Sequence, residues 1–359
     1  MHLRSKKWGA LLLCSLALMC ACEGRSQTQP TQPQQPKRVD HDPAPSPDPD
    51  SVTAGPATAQ PGVAQVGREG NKYTVRQDAY EVQLNASVFD GSGRRVDSLD
   101  KDAFHIYEDG VPQAMSSFRH EDLPVSIGLL IDASGSMYDK RAAVDQAAVN
   151  LIKLSNPADE EFLVDFSFEA FIDQDFTSDV NKLSQGLSYI KSSGGTAMYD
   201  ALVASADYLT RNAKHPKQVL VIVTDGEDNA SSATIEQAIR RIQDLDGPVI
   251  YCVGLLFGAD TDKRESRHAR RVLEDLSEQT GGQAYFPKSL KDVEGIAEEV
   301  AQDIRTQYTI GYRSTNPPAN GGYRQVHVDA KAKGFSKLTV RTRTGYFPKT
   351  NTGTPAAQP

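Results

Sequence analysis

The chain has 359 residues, of which 38% are apolar, enough for one or two globular domains with buried cores. Its formal net charge is -8 at pH 7, and no dense stripe of Lys and Arg runs through it. This composition argues against nucleic acid as a binding partner.

The first 22 residues have the pattern of an export signal. A basic segment at residues 2–7 precedes an apolar run at residues 11–19, which is too short to cross a bilayer. The sequence around Cys22 resembles the processing site of a bacterial lipoprotein, which predicts acylation of Cys22. The alternative is an ordinary signal that is cleaved near Ala21.

Residues 23–71 are rich in Pro, Gln, Asp, Ser and Ala and have almost no large apolar side chain. Such a segment cannot bury enough surface to offset the entropy of ordering it, so we expect a disordered tether, and a similar tail at residues 349–359. A lipid on Cys22 would anchor this tether in the cell envelope. Glu23 is not the aspartate that retains lipoproteins in some inner membranes, which favours the outer membrane, facing the periplasm or the cell surface.

Two segments, residues 72–122 and 307–348, have strand patterns without helices. In the first, apolar residues alternate with polar ones from Val82 to Val88, and Asp109-Gly110 is typical of a tight turn. Each segment is too small to be stable alone. We therefore predict that they pair with each other in one small β-sandwich-like domain.

Between them, residues 123–306 alternate strand-like runs with amphipathic stretches, which predicts a doubly wound α/β fold with a mostly parallel sheet, inserted in the β-sandwich-like domain. A short antiparallel hairpin is expected after the second strand. The predicted strands are residues 125–131, 161–168, 218–224, 249–256 and 284–286. The predicted helices are residues 140–154, 198–210, 234–245, 267–279 and 293–305.

Three loops of this region carry hydroxyl and carboxylate side chains where ligands bind to open α/β sheets, beyond the carboxyl ends of the strands. Asp132, Ser134 and Ser136 follow the first strand, Thr196 precedes a helix, and Asp225 follows the third strand. Oxygen atoms of these kinds suit a hard cation such as Mg²⁺ or Mn²⁺. Taken alone, the first of these motifs is equally compatible with a capped helix start. Glycines at positions 135, 194, 195 and 226 are expected to let the loops turn tightly.

The combination resembles the von Willebrand factor type A family. Asp132, Ser134 and Ser136 match its D-x-S-x-S motif, Thr196 its threonine and Asp225 its distal aspartate, so that together they resemble a metal-ion-dependent adhesion site. The resemblance implies that the two serines, and the threonine in one state, bind Mg²⁺ or Mn²⁺ directly. It also implies that one or both aspartates act through water, and that an acidic residue of a partner protein completes the site.

The flanking strands support the same resemblance. Residues 102–110 and 344–347 are similar to segments that flank this domain in bacterial proteins related to it, so the resemblance covers most of the chain after Tyr73. It implies an adhesion or protein-binding module of the cell envelope, and no enzymatic activity. A structural scaffold of an envelope complex, with the metal serving stability, has the same motifs.

Two further features bear on function. Ser134, Asp225 and His268 follow the chain order of an α/β-hydrolase triad, but the glycine two residues before the serine is missing. A basic cluster at residues 263–271 is either a solvated helix face or a rim that steers an acidic partner towards the metal. It is expected to begin in the loop that follows the fourth strand.

Overall fold

A computed structural model of the protein describes residues 37–38, 65–69, 72–76, 81–257 and 263–349. The predicted export signal, Cys22, much of the predicted tether and residues 350–359 lie outside these ranges. Strands β1 (Lys37–Arg38) and β2 (Gln65–Glu69) fall within the segment predicted as a tether, and β2 pairs antiparallel with β3 (Lys72–Arg76). In the described ranges, no helix combines the length and apolar character needed to cross a membrane.

A seven-stranded sheet in the order β1-β10-β9-β8-β11-β12-β13 is the centre of the α/β region. Strands β8, β9, β11, β12 and β13 are parallel, whereas β10 runs antiparallel to β9. The predicted mostly parallel sheet and its hairpin are confirmed. The bounds are β8 Val125–Asp132, β9 Glu160–Phe166, β10 Ala170–Thr177, β11 Lys217–Thr224, β12 Val249–Gly254 and β13 Ala284–Tyr285.

Helices cover both faces of this sheet. The apolar residues of α1, α2 and α6 pack on one face in a first core, and those of α3, α4 and α5 pack on the other in a second core. Because both faces are buried, the strands are continuous apolar runs rather than alternating ones. The bounds are α1 Arg141–Leu154, α2 Val180–Tyr189, α3 Met198–Asn212, α4 Ile235–Asp244, α5 Lys263–Thr280 and α6 Val293–Thr306.

Helix α2 was not predicted, although its sequence carries a start signal. The side chain of Asp179 accepts a hydrogen bond from the backbone N–H of Asn181, and Leu183 and Leu187 are buried four residues apart. The predicted start of α5 was also wrong. The helix begins at Lys263 rather than Arg267, because its first turns are polar and lack the apolar period that sequence analysis detects.

The strands before and after the α/β region form two four-stranded sheets, β16-β4-β14-β7 and β17-β15-β5-β6. Strand β14 pairs with β4 and β7, and β15 pairs with β5, so each sheet combines both flanks as predicted. The bounds are β4 Glu81–Asp90, β5 Phe104–Glu108, β6 Val111–Gln113, β7 Met115–Arg119, β14 Tyr308–Arg313, β15 Arg324–Ala330, β16 Leu338–Arg341 and β17 Gly345–Tyr346.

Local chemistry fixes the second sheet and joins it to the first. Asp109 and Gly110 both have positive φ, at 50° and 78°, as the two-residue turn between β5 and β6 requires. Just before this turn, the buried Glu108 accepts hydrogen bonds from the hydroxyls of Tyr312 on β14 and Tyr346 on β17, at 2.7 and 2.8 Å. The buried carboxylate therefore links strands of both sheets.

Candidate metal centre

Two of the predicted residues lie side by side because their strands are neighbours. Strands β8 and β11 pair in parallel with Ile131 opposite Val223, so both strands end at the same edge of the sheet. Asp132 is the last residue of β8, and Asp225 directly follows the last residue of β11. The sheet register thus brings residues 93 positions apart in the chain to one edge.

The second loop, which carries Thr196, is bound to the first through backbone hydrogen bonds. The N–H of Ser193 donates to the carbonyl of Ala133 at 2.7 Å, and the N–H of Gly135 donates to the carbonyl of Gly194 at 3.2 Å. The loop that carries Thr196 is therefore held against the loop that carries the serines.

Side-chain contacts connect four of the five predicted residues. The hydroxyl of Ser136 donates to Oδ1 of Asp225 at 2.8 Å, and the hydroxyls of Ser134 and Ser136 are 3.1 Å apart. Asp132 accepts from the backbone N–H of Ser134 at 2.8 Å through Oδ1 and from the hydroxyl of Thr224 at 2.6 Å through Oδ2. Asp132 thereby orients the loop. Ser134, which directly precedes the 3₁₀ segment Gly135–Lys140, makes no side-chain capping hydrogen bond, so the capped helix start that was the alternative interpretation is not formed there.

Hydrogen bonds of its backbone join Thr196 to the loop that follows Asp225. Its N–H donates to Oδ1 of Asn229 at 2.9 Å, and its carbonyl accepts from the N–H groups of Asn229 and Ala230 at 3.0 and 3.2 Å. Sequence analysis missed Asn229, which stands four residues after Asp225. It ties the second loop to the third.

Burial gives the group one accessible side. Asp132, Ser134, Thr196 and Asp225 are buried, whereas Ser136 is exposed. Burial raises the pKa of the Asp132 carboxyl, and the charge of Asp225 adds to the rise, while hydrogen bonds from Thr224 and Ser134 oppose it. A cation beside Asp132 would offset the effect of its burial.

The donor set fits a hard cation. It consists of three hydroxyls and two carboxylates, all oxygen donors of the kind that Mg²⁺ and Mn²⁺ accept. In the part of the chain that the structure describes, no group of three or more His, Cys, Asp and Glu residues is arranged to hold a metal. A metal site here therefore depends on the serine and threonine hydroxyls.

Lys140 is a neighbour that sequence analysis did not consider. Its ammonium group donates to Oδ2 of Asp225 at 2.5 Å and forms an ion pair with it. Lys140 stands four residues after Ser136, at the end of a 3₁₀ segment, Gly135–Lys140, that leads into α1. Its closeness to the motif in the sequence was the available signal.

The four glycines of these loops do not share one role. Only Gly194 has a positive φ, at 84°. A β-carbon on Gly194 or on Gly195 would lie 2.8 Å from the ring of Phe168, whereas one on Gly226 would meet nothing within 4 Å. The expectation that all four glycines serve tight turns is corrected: Gly195 is required for close packing instead.

Two exposed aromatic side chains border the group. Tyr138 is 76% exposed and lies two residues after Ser136, and Phe168 is 67% exposed with its ring over Gly194 and Gly195. Large exposed apolar side chains beside a polar cleft are typical of interaction surfaces.

The basic cluster lies on α5 and not in the loop before it, because the helix begins at Lys263. Arg264, Arg267, His268 and Arg271 line one surface depression, whereas Arg270 stacks on the ring of Phe286 at 3.8 Å. Within residues 81–257 and 263–349, His268 makes no hydrogen bond to Ser134 or Asp225. The contacts of a hydrolase triad are therefore not formed in this part of the chain.

Fold and site together define an α/β domain with oxygen-bearing loops at the carboxyl edge of its sheet. The sequence profile of the von Willebrand factor type A domain matches residues 127–227. Residues 127–227 thus match the von Willebrand factor type A domain that the motifs predicted.

The solved structures that the chain resembles include three bacterial proteins. An aerotolerance-related membrane protein from Bacteroides fragilis is 16% identical, with a TM-score of 0.40, over 50% of this chain and 98% of its own. A von Willebrand factor type A protein from Catenulispora acidiphila is 14% identical, with a TM-score of 0.43, over 75% of each chain. A pilus adhesin from Lactobacillus rhamnosus GG is 13% identical, with a TM-score of 0.44, over 70% of this chain and 49% of its own.

Likenesses at this level say nothing about function. No curated protein sequence matches the chain significantly.

Proposed function

We propose that the protein is a metal-dependent protein-binding module of the cell envelope, used for adhesion or capture. Asp132, Ser134, Ser136, Thr196 and Asp225 would hold Mg²⁺ or Mn²⁺, and the bound ion would attract an acidic side chain of a partner protein. The observation that carries the proposal is the contact of the exposed Ser136 hydroxyl with both the Ser134 hydroxyl and the Asp225 carboxylate.

The charges of the donor set support an acidic partner. Hydroxyl ligands are neutral, and an aspartate that acts through water does not bind the ion directly, so a carboxylate from outside would supply a negatively charged direct ligand. Because Ser136 is exposed and the other four residues are buried, the partner would approach from the side of Ser136.

The surroundings support a protein partner rather than a free small acid. Tyr138 and Phe168 offer exposed aromatic surface near the loops, and aromatic side chains dominate the energetics of protein interfaces. The arginines of α5 add positive charge in the first half of this helix, which follows β12 in the chain, and β12 lies next to β11 in the sheet.

The envelope part of the proposal rests on the sequence alone. It comprises the export signal, the acylation of Cys22, the tether and an outer-membrane location. The residues concerned lie outside the described ranges, apart from β1 and β2 in the tether. Mass spectrometry of the mature N-terminus tests them: a lipid-modified Cys22 supports the anchor, and a free terminus near Ala21 contradicts it. A binding role without catalysis is also proposed, because the Ser134 hydroxyl meets another serine rather than an imidazole.

Calorimetric titration of Mn²⁺ and Mg²⁺ into the purified protein tests the metal. We expect one binding event in the wild type, lost in Asp225→Ala and Ser134→Ala while circular dichroism shows the fold retained. Glu298→Gln, an exposed change on α6, is the control and should bind as the wild type does. A wild-type protein that takes up neither ion contradicts the proposal.

A second experiment separates adhesion from the scaffold alternative. Envelope proteins are captured on the immobilised wild type and on Asp225→Ala, in Mg²⁺ and in EDTA. Adhesion predicts partners that are released by EDTA and missing from Asp225→Ala. A scaffold predicts that EDTA lowers the melting temperature and releases no partner.

A further inference from the structure

Lys140 and Ser136 share the carboxylate of Asp225 between them. Ser136 donates to Oδ1 at 2.8 Å, and the ammonium of Lys140 donates to Oδ2 at 2.5 Å. The Asp225 side chain is 1% exposed and that of Lys140 is 19% exposed. This pair is therefore largely removed from water, unlike the surface ion pairs that contribute little to stability.

The position of the ammonium group is built into the loop. Met137 is fully buried and its N–H donates to the carbonyl of Ser134, which fixes the 3₁₀ segment that ends at Lys140. The ring of Phe257, after β12, lies 5.9 Å from the Lys140 nitrogen, within the range of a cation–π contact. A partly desolvated ammonium needs a counter-charge, and Asp225 provides it.

We infer that Lys140 is a tethered cation that competes with the metal for Asp225. This inference rests on the proposed function, because it takes Asp225 as part of the metal site. Lys140 compensates the charge of Asp225 in the metal-free protein and so keeps the loops assembled. With a metal present, Lys140 repels it and withdraws part of the negative charge that the metal needs.

The consequence for function is a coupling between metal and partner. The five oxygen-bearing residues hold the metal less tightly than they would without Lys140. An acidic side chain from the partner adds the negative charge that Lys140 withdraws, so the metal and the partner each strengthen the binding of the other.

Calorimetric titration of full-length protein with Mn²⁺ tests this role. We expect Lys140→Met to bind Mn²⁺ roughly tenfold more tightly than the wild type, because one positive charge beside the site is removed. Lys140→Arg keeps the charge and should bind within about twofold of the wild type, as should Lys153→Met, which removes an exposed lysine elsewhere on α1.

Melting temperature is the second readout. In EDTA, Lys140→Met should melt below the wild type, because Asp225 is left buried without a counter-charge, and saturating Mn²⁺ should abolish the difference. Lys140→Gln keeps a hydrogen-bond donor for Asp225 without the charge, and it replaces Lys140→Met in both measurements if that variant does not fold.

The outcomes distinguish this inference from the proposed function. If the wild type binds Mn²⁺ and the uncharged variants bind it equally or more weakly, Lys140 does not compete and only this inference is overturned. If neither binds Mn²⁺, both are overturned. If only the uncharged variants bind, Lys140 replaces the metal in the native chain, which supports the competition and overturns the metal-dependent function.

Discussion

Asn229 and Phe168 leave no room for a β-carbon at Gly195. Such an atom would lie 2.7 Å from Oδ1 of Asn229 and 2.8 Å from the Phe168 ring. That same oxygen of Asn229 accepts the hydrogen bond from the backbone N–H of Thr196. The side chain that orients Thr196 therefore depends on the absence of a side chain at the preceding position.

We expect Gly195→Ala to weaken Mn²⁺ binding and to lower the free energy of unfolding by about 1–3 kcal/mol, because Asn229 and Phe168 must shift to admit a methyl group. The matched control is Gly226→Ala in the next loop, where a β-carbon meets nothing within 4 Å. Calorimetric titration and urea unfolding measure the two effects. Equal Mn²⁺ affinities for the two variants would show that the packing at Gly195 does not hold the site.

Helix α5 carries most of its positive charge in its first half and most of its negative charge in its second half. Arg264, Arg267 and Arg271 lie in the first half, with Glu265 in the first turn, and Glu274 and Glu278 lie in the second half. The sequence hypothesis that this basic half steers an acidic partner stays a prediction, and the solvated helix face is its alternative.

We expect Arg267→Glu combined with Arg271→Glu to change the free energy of unfolding by less than about 0.5 kcal/mol, because both side chains are exposed and lie beyond the first turn of the helix. The same variant should associate more slowly with a partner retained in Mg²⁺, with a weaker dependence on salt. Lys331→Glu with Lys333→Glu makes the same change in net charge at exposed positions after β15. If that control slows association equally, the effect is one of net charge and not of α5.

At the scale of the whole molecule, one carboxylate joins the α/β region to the β-sandwich. Asp303 on α6 is fully buried. It accepts from the hydroxyls of Tyr251 on β12 at 2.7 Å and Ser87 on β4 at 2.9 Å. It also pairs with Arg95, which follows β4, at 3.1 Å and with Arg341 on β16. The last helix of the α/β region is thereby fixed to strands of the sandwich.

We expect Asp303→Asn to lower the free energy of unfolding by about 3–5 kcal/mol, since it leaves two arginines without their counter-charge. We also expect calorimetry to resolve two transitions in the variant where the wild type shows one, because the contact that couples the two parts is lost. Glu298→Gln, exposed on the same helix, should change the unfolding free energy by less than about 0.5 kcal/mol. A single transition at the wild-type midpoint in Asp303→Asn would contradict this coupling.

The sequence by itself determined the class of fold, the pairing of the two flanking segments and the family of the central domain. The fold and the pairing follow from local patterns, because apolar periodicity identifies strands and helices, and a strand end predicts which loops share an edge. The family follows from the resemblance of the motifs, and that resemblance together with the position of the loops selected Asp132, Ser134, Ser136, Thr196 and Asp225 as candidates. Their role in metal binding stays a proposal.

Only the tertiary structure decided which residues act on those candidates. Lys140 reaches Asp225 across 85 residues of sequence, Asn229 holds Thr196 across 33 and Asp303 meets Ser87 across 216. Such contacts depend on sheet register, on the direction of a side chain and on the space that glycines leave. None of these features produces a repeating pattern of residues that sequence analysis could detect. Charged and polar side chains carry the weakest local signal, because the partners that stabilise them when buried are set by the fold as a whole.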